Sequence, residues 1–347
     1  SVIDSEFISA LVHPDIKLVA HNAYFEQVIT RNVLSKLVRA NNIKNIPHER
    51  WICTAAQAAA LALPRNLENA CIALKLPVKK DMEGRRLMLK MSRPRKPTKN
   101  NPSEWHEKPE DFKRLIEYCE QDVRAEIALF LATPELNQTE KEVWALDQKI
   151  NFRGINVDIE LVDKALEFIK IETDNLNAET KEITGGEIES ATQRNSLLRI
   201  IQREIPSLPD LKAKTVFDIL SCNDNLSPAI RLLEIRQSIS KTSTAKYEAF
   251  KSRSMSDGRV RDLLLYHAAS TGRWGGMGIQ PQNFPRGTIK DTDYASALVK
   301  SESLEMLRIL YGNPMNVFSS CLRSVIIPSA GKEFFCADYA AIEVRVL

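Results

Sequence analysis

Apolar residues along this 347-residue chain recur mostly at helical spacing, interrupted by a few short extended runs. Lys17-Leu18-Val19-Ala20 is such a run and predicts a strand. Phe25, Val28, Ile29, Val33, Leu34 and Leu37 then repeat at the intervals of an amphipathic helix. Ala-rich stretches over 52–63 and 66–75 predict two more helices. From about Arg86 to Pro109 the chain mixes Pro, Lys and Asn, which reads as a long basic loop. Between Pro109 and Leu131, Phe112, Ile116, Cys119, Val123 and Ile127 share one helical face and mark it as the buried side. Thr133-Pro134 breaks this pattern and places a domain boundary there.

Thr139-x-x-Glu142 has the form of a capping box, in which each side chain bonds the other's backbone N–H. Gly154-Ile155-Asn156-Val157 predicts a turn and a short strand, and Asp158 suits the cap of a long helix ending near Gly185-Gly186. One long amphipathic helix is expected over Pro228 to Lys251. Past His267 the pattern changes to short strands, Gly and Pro turns, and a helix over Glu302–Tyr311. Glu333-Phe334-Phe335-Cys336 reads as a short buried strand that delivers Asp338 into a cleft.

Composition sets limits. With 44% hydrophobic and 27% charged residues the chain is ordinary for a globular protein, and its length allows two or three domains. Six cysteines, none in a CxxC pair, argue against a disulfide frame or a zinc site. No apolar stretch is long enough to span a membrane and no signal peptide opens the chain, so no membrane partner and a cytoplasmic location are expected. The net charge of +3 is too small to argue a nucleic-acid partner. Locally, Lys79, Lys80, Arg85, Arg86, Lys90, Arg93, Arg95, Lys96 and Lys99 gather against only Asp81 and Glu83, as a solvated basic loop would.

The candidate chemistry lies at the two ends. Near the C-terminus, Thr271-Gly272-Arg273 is followed by Gln282-Asn283-x-Pro285. A guanidinium pairs with phosphate oxygens, and amides read the minor-groove edge of base pairs. Leu322-Arg323-Ser324 then leads to Asp338-Tyr339-x-x-Ile342-Glu343-x-Arg345. These motifs resemble those of the family A DNA polymerases, the bacterial DNA polymerase I type. Ala340 and Ala341 stand where that family commonly has Ser and Gln.

The resemblance implies that Asp338, with the Tyr339 carbonyl, holds two Mg2+ ions for in-line nucleotidyl transfer. It implies further that Glu343 lies under the incoming sugar beside Tyr339 and excludes a 2′-hydroxyl. Arg273, Gln282, Asn283, Arg323 and Arg345 would contact primer–template DNA, with deoxynucleoside triphosphates as substrates. The family's fingers helix and its His-Asp-Glu segment are not among these residues. The chain is therefore expected to be a piece of a polymerase, inactive alone, completed by a second chain or a downstream segment.

Near the N-terminus, His21-Asn22-Ala23-Tyr24-Phe25-Glu26 and Tyr118-x-x-x-Asp122 are similar to two motifs of 3′–5′ proofreading exonuclease domains. Four residues on a helix put Tyr118 and Asp122 on one face. Glu26 and Asp122 would hold metal, and Tyr118 would orient the attacking water. The family's first motif, Asp-x-Glu, is missing. Asp4-Ser5-Glu6 has its letters but reads as the start of a small helix. Residues 54–88 are similar to the exonuclease domains of phage-encoded polymerases.

Between the ends, Ser240-Lys241-Thr242-Ser243-Thr244-Ala245-Lys246 offers hydroxyls and lysines for phosphate contacts, chiefly Lys241 and Thr244, and Arg259 is placed to do the same. The expected fold is mixed α/β: a partial ribonuclease-H-like exonuclease domain over 1–135, a helical thumb over 136–266, and the start of an α+β palm over 267–347. Two other readings stay open, a non-catalytic DNA-binding half of a split polymerase and a 3′–5′ exonuclease with a degenerate polymerase part.

Overall fold

The computed structural model describes residues 3–39, 41–77, 81–98, 102–222, 227–240, 244–341 and 344–345. The basic-run residues Lys79, Lys80 and Lys99, and the site candidates Lys241 and Glu343, lie outside them. The chain separates into two units, one of Ser1–Phe152 with Leu264–Gly275 and the other of Arg153–Leu263 with Gly276–Leu347. Helices dominate both, and the strands are short.

In the first unit β1 (Leu18–Ala20) pairs in parallel with β2 (Trp51–Cys53), Leu18 opposite Trp51. The expected helix over 52–63 therefore begins later, at Thr54. Trp51-Ile52-Cys53 is aromatic and β-branched and finds a strand partner that its own sequence does not reveal. Asp4 caps the Ser5–Val12 helix, as expected, its Oδ1 accepting from the Glu6 N–H at 2.8 Å. The basic stretch is only partly a loop. Met82–Met91 is a helix, started by Asp81, whose carboxylate accepts from the Gly84 N–H.

Two helices turn opposite faces inward from those their apolar stripes mark. Pro109–Ala132 is helical, but Phe112, Ile116, Cys119, Val123 and Ile127 are exposed. Its buried side is Ala125 and Leu129, packed on Ala58, Ala70 and Cys71. The stretch from Tyr24 is helical through a π-turn at Thr30–Leu34 to Leu37. It buries Gln27, Thr30 and Ser35 and exposes Phe25, Ile29, Val33 and Leu37. Small side chains let helices approach closely, and Gln27 is bonded to Gln148 and His48, so these faces bury without loss.

The Gln138–Arg153 helix is capped by Asn137, whose Oδ1 accepts from the Glu140 N–H at 2.9 Å, rather than by a Thr139–Glu142 box. In the second unit β3 (Ile155–Val157) is the central strand of an antiparallel sheet, between β4 (Arg259–Val260) and β7 (Ile326–Ile327). Asp158 caps the Ile159–Ile183 helix, which ends at Gly185 and Gly186, both with positive φ. The helix expected over Pro228–Lys251 is two helices, Pro228–Ile239 and Ala245–Arg253. A Ser/Thr-rich stretch competes for backbone hydrogen bonds and favours helix ends. Leu197, Ile201, Leu232, Leu233 and Ile235 centre the helical core.

Past His267 the structure is more helical than expected. Thr292–Ser301, Leu304–Tyr311 and Pro314–Cys321 are helices, and β6 (Gly275–Gly276), like β5 (Leu264–Leu265) before it, and β7 are two-residue strands. The Glu333–Cys336 run forms no strand and is exposed, Phe335 at 92%. An apolar run becomes a strand only where a neighbouring strand takes up its backbone N–H and C=O groups, and none of the described residues does so here. No helix among the described residues is long and apolar enough to cross a membrane.

Candidate nucleic-acid and metal sites

The first unit gathers half-buried carboxyls around the two N-terminal motifs. His21 leaves β1 with its ring held on both sides, Nδ1 at 2.9 Å from the Thr54 hydroxyl and Nε2 at 2.8 Å from the Arg65 carbonyl. The carbonyl can only accept, so Nε2 carries the proton. Burial lowers the pKa of this ring, which keeps it neutral. Glu26 is raised by burial, and its Oε2 is buried without a hydrogen-bond partner among the described residues.

Beside Glu26 lies Glu126, pushed up to about 7 by burial and by the Glu26 charge, against a stabilising hydrogen bond from the His21 backbone N–H. Sequence reasoning passed over Glu126. The signal was available: it follows Asp122 by four residues, one turn further along the same face.

Tyr118 and Asp122 are hydrogen-bonded to each other. Burial first, then this bond, push the Tyr118 phenol up to about 12. Asp122 is raised by burial, with Asp81 and Glu68 adding to the rise and the Tyr118 bond opposing it. Glu26 thus couples to Glu126, and Asp122 to Tyr118, Asp81 and Glu68. The Tyr118 ring rests on Gly84, where a Cβ would come within 2.4 Å of it. Asp81, bonded to both Gly84 and Arg114, fixes that turn. Among the described residues no three His, Cys, Asp or Glu side chains are arranged to hold a metal.

The second unit contains an open groove of about 930 Å³. Arg194, Lys212, Arg236 and Lys246 line it, with no carboxylate, alongside Phe217 and Asn283. Arg236 is lowered by burial and by Arg194, and its Nε is buried without a partner among the described residues. Lys246 donates to the Ile279 carbonyl at 3.0 Å, and Asn283 to Gln280 Oε1 at 2.7 Å. Gln282 is exposed, its amide lying against Gly276, where a Cβ would overlap it. Thr244 is half-buried just ahead of the Ala245–Arg253 helix.

Two other candidate arginines are engaged inside the chain. Arg323 donates to the Phe284 carbonyl at 3.0 Å and to that of Pro285 at 3.4 Å. Arg259 donates to the Arg153 and Gly154 carbonyls, to Asn156 Oδ1 at 2.6 Å and to Ser329 Oγ. That set of acceptors ties β4 to β3 and to the segment after β7. In the first unit Arg273 is exposed, and its carbonyl accepts from Ala269. Asp338 and Tyr339 are exposed, and Arg345 donates to the nearby Ala340 carbonyl.

No protein-family model matches the chain. Over 349 aligned residues it is 36% identical to a protein described as a DNA polymerase from Bacillus phage SP02. The alignment takes in 99% of this chain and 52% of that protein. The chain is similar to a phage DNA polymerase along nearly its whole length. It spans about half the length of that relative. Its fold is similar, with a TM-score of 0.50, to the POL domain of Pol1 from M. smegmatis in complex with DNA primer-template and dNTP. That likeness covers 85% of this chain and 47% of the other at 13% identity, and speaks for the fold alone.

Proposed function

We propose that these residues are part of a family A, DNA-templated DNA polymerase with a ribonuclease-H-like 3′–5′ proofreading exonuclease, acting in DNA replication. The observation that carries DNA binding is the carboxylate-free cationic groove of the second unit, with Asn283 on its wall. Arg194, Lys212, Arg236 and Lys246 would hold backbone phosphates, which positions a duplex without reading its sequence. Gln282 and Asn283 would face base edges. Arg273 and Arg345 remain candidates at the DNA, together with Thr244 and Lys241. Arg259 and Arg323 would act mainly by shaping the backbone beneath.

In the first unit we assign Glu26, Asp122 and Glu126 to the exonuclease centre. They offer only oxygen donors, which suits Mg2+, and the buried, unpartnered Oε2 of Glu26 fits a ligand atom, but among the described residues the three are not arranged around one metal position, so the fit is partial. Mg2+ bound there would supply an activated water and offset phosphate charge. The Tyr118 hydroxyl, held by Asp122 and backed by Gly84, would orient the attacking water. At the C-terminus the fit is poor. Asp338 stands exposed and belongs to no metal-holding group of three His, Cys, Asp or Glu side chains among the described residues, and one carboxylate does not organise two metals. We therefore propose that these 347 residues bind primer–template DNA but do not extend a primer.

Fluorescence anisotropy with a labelled primer–template across a salt series tests the groove. Binding is expected to weaken linearly in log–log form. Arg236→Gln with Lys212→Gln should reduce the slope by about 0.9 for each phosphate no longer neutralised. A slope and affinity that the double substitution leaves unchanged would remove the groove from the proposal. Primer extension by the isolated chain with Mg2+ and deoxynucleoside triphosphates would overturn the assignment of Asp338 as an incomplete site. The reading as a DNA-binding half without nucleotidyl transfer is favoured by the isolation of Asp338, and absence of 3′-exonuclease activity would select it.

A further inference from the structure

The basic run that starts at Arg85 borders a cleft that none of the proposed sites uses. The cleft, about 390 Å³ and open to solvent, lies in the first unit. Met88, Met91 and Ser92 of the Met82–Met91 helix line it, and their spacing puts them on one helical face. Phe112 and Leu115, from the start of the Pro109–Ala132 helix, face it in the same way. Trp105, His106 and Glu107 complete the lining. Trp105 is 49% exposed and Phe112 48%, so the largest apolar side chains here meet water rather than the core.

Polar ties fix these walls. Lys90 pairs with Asp111 at 3.2 Å and joins the two helices. The Arg95 backbone N–H donates to the Glu104 carbonyl at 2.7 Å, and its Nε donates to the Ser103 carbonyl at 2.8 Å. The Ser103 hydroxyl donates to the Glu107 carboxylate at 2.8 Å and accepts from the Trp105 N–H at 3.2 Å. The segment carrying Trp105 is thus held by hydrogen bonds, and its ring stays available.

Charge around the cleft is unbalanced. Arg93, Lys108 and Lys113 each directly follow a lining residue and are exposed. None of the three makes a side-chain hydrogen bond or ion pair among the described residues. Arg85, Arg86 and Lys96 add exposed charge close by in sequence. Against them stand Glu107 in the lining and Glu104 and Glu110 beside it in sequence, while Asp111 is taken up by Lys90. An apolar hollow among unpaired cations fits an acidic segment with an apolar anchor. Methionine walls adapt to the shape of such an anchor. Single-stranded DNA fits less well: its phosphates accompany every base and would meet Glu107, and Met88, Met91 and Leu115 offer base edges no strong hydrogen bond. A peptide backbone N–H can donate to Glu107 while the peptide's carboxylates reach the flanking cations. We infer that this cleft docks an acidic peptide segment of a partner protein, its apolar side chain seated against Trp105 and Phe112. The inference stands apart from the proposed polymerase and exonuclease sites.

Fluorescence anisotropy of the 347-residue chain with a short fluorescein-labelled peptide, Asp and Ser residues around a central Leu-Phe pair, tests it. Saturable binding is expected, about tenfold weaker when Ser replaces the Leu-Phe pair or Lys replaces Asp. Trp105→Ser, at a half-exposed position, should weaken binding about tenfold. Arg93→Gln with Lys108→Gln should weaken it at low salt and match the parent chain at high salt. Absence of saturable binding overturns the inference, as does equal affinity for the Lys peptide. So does an affinity that Trp105→Ser leaves unchanged, or one that the double substitution leaves unchanged at low salt. An oligodeoxythymidylate that displaces the peptide, and whose own affinity falls with Trp105→Ser, would give the cleft to single-stranded DNA instead. Self-association that Trp105→Ser abolishes would give it to a second copy of the chain, and either result overturns the inference.

Discussion

Glu126 shows how one unannounced carboxyl can govern pH dependence. Its folded pKa of about 7 lies above the unfolded value, so the fold favours the protonated form. Its favourable contribution is complete below the unfolded pKa and is lost as pH rises towards 7. Glu126→Gln should leave thermal stability unchanged at pH 4 and raise it at pH 8, by about 1 kcal/mol after allowing for partial solvent screening. A destabilised variant at pH 8 would mean the carboxylate is compensated in the native state. Arg259 makes the contrasting case. Its charge suggests DNA, yet its planar fork is filled by acceptors on β3 and beyond β7. Arg259→Lys keeps the charge and loses the fork. It should cost about 1–3 kcal/mol in urea denaturation while primer–template affinity at fixed salt stays the same. From the letters alone Arg259 looked available to DNA, because residue type reports what a side chain can bond and not what already bonds it.

Helix positions were legible from periodicity, and the faces were not. The expected extents of Pro109–Ala132 and Ile159–Ile183 hold, with Asp158 as the cap. A stripe of large apolar residues signals a face that can be buried, but which face is buried depends on partners distant in sequence. Leu129 packs with Cys71 and Ala58, and Gln27 bonds Gln148, 121 residues away. Leu129→Ala should therefore cost about 2–4 kcal/mol. Ile127→Gln, on the stripe that sequence marks as core, should stay within about 0.5 kcal/mol. Equal losses at the two positions in urea titrations would restore the stripe as the packed face. Acidic centre and helix boundaries share this logic. Tyr118 and Asp122 were visible because they lie one turn apart. The support of Tyr118 by Gly84 was not, because it joins two helices separated by an irregular stretch.

Charge over the whole molecule is as uninformative as the +3 total suggests, while its distribution is not. The four groove cations come from four helices or helix edges of the second unit, and only folding collects them, with Lys212 paired to Asp210 at 2.8 Å. The same folding leaves Phe25, Leu37, Ile127, Leu131 and Phe335 outside, at 60%, 68%, 53%, 77% and 92% exposure. In colloidal terms these residues put apolar surface on the folded chain, with a net charge of only +3 to keep copies apart. The chain should be retained on phenyl resin, salt out at low ammonium sulfate, and brighten an anilinonaphthalene dye while its near-ultraviolet circular dichroism remains that of a packed protein. Phe25→Glu with Ile127→Glu should shorten the retention and dim the dye. If the double substitution leaves dye emission and retention unchanged, these side chains are not what the dye and the resin sense. Four of these five residues lie on the two helical stretches that carry Glu26 and Glu126, so those stretches contribute to the purification behaviour of this chain.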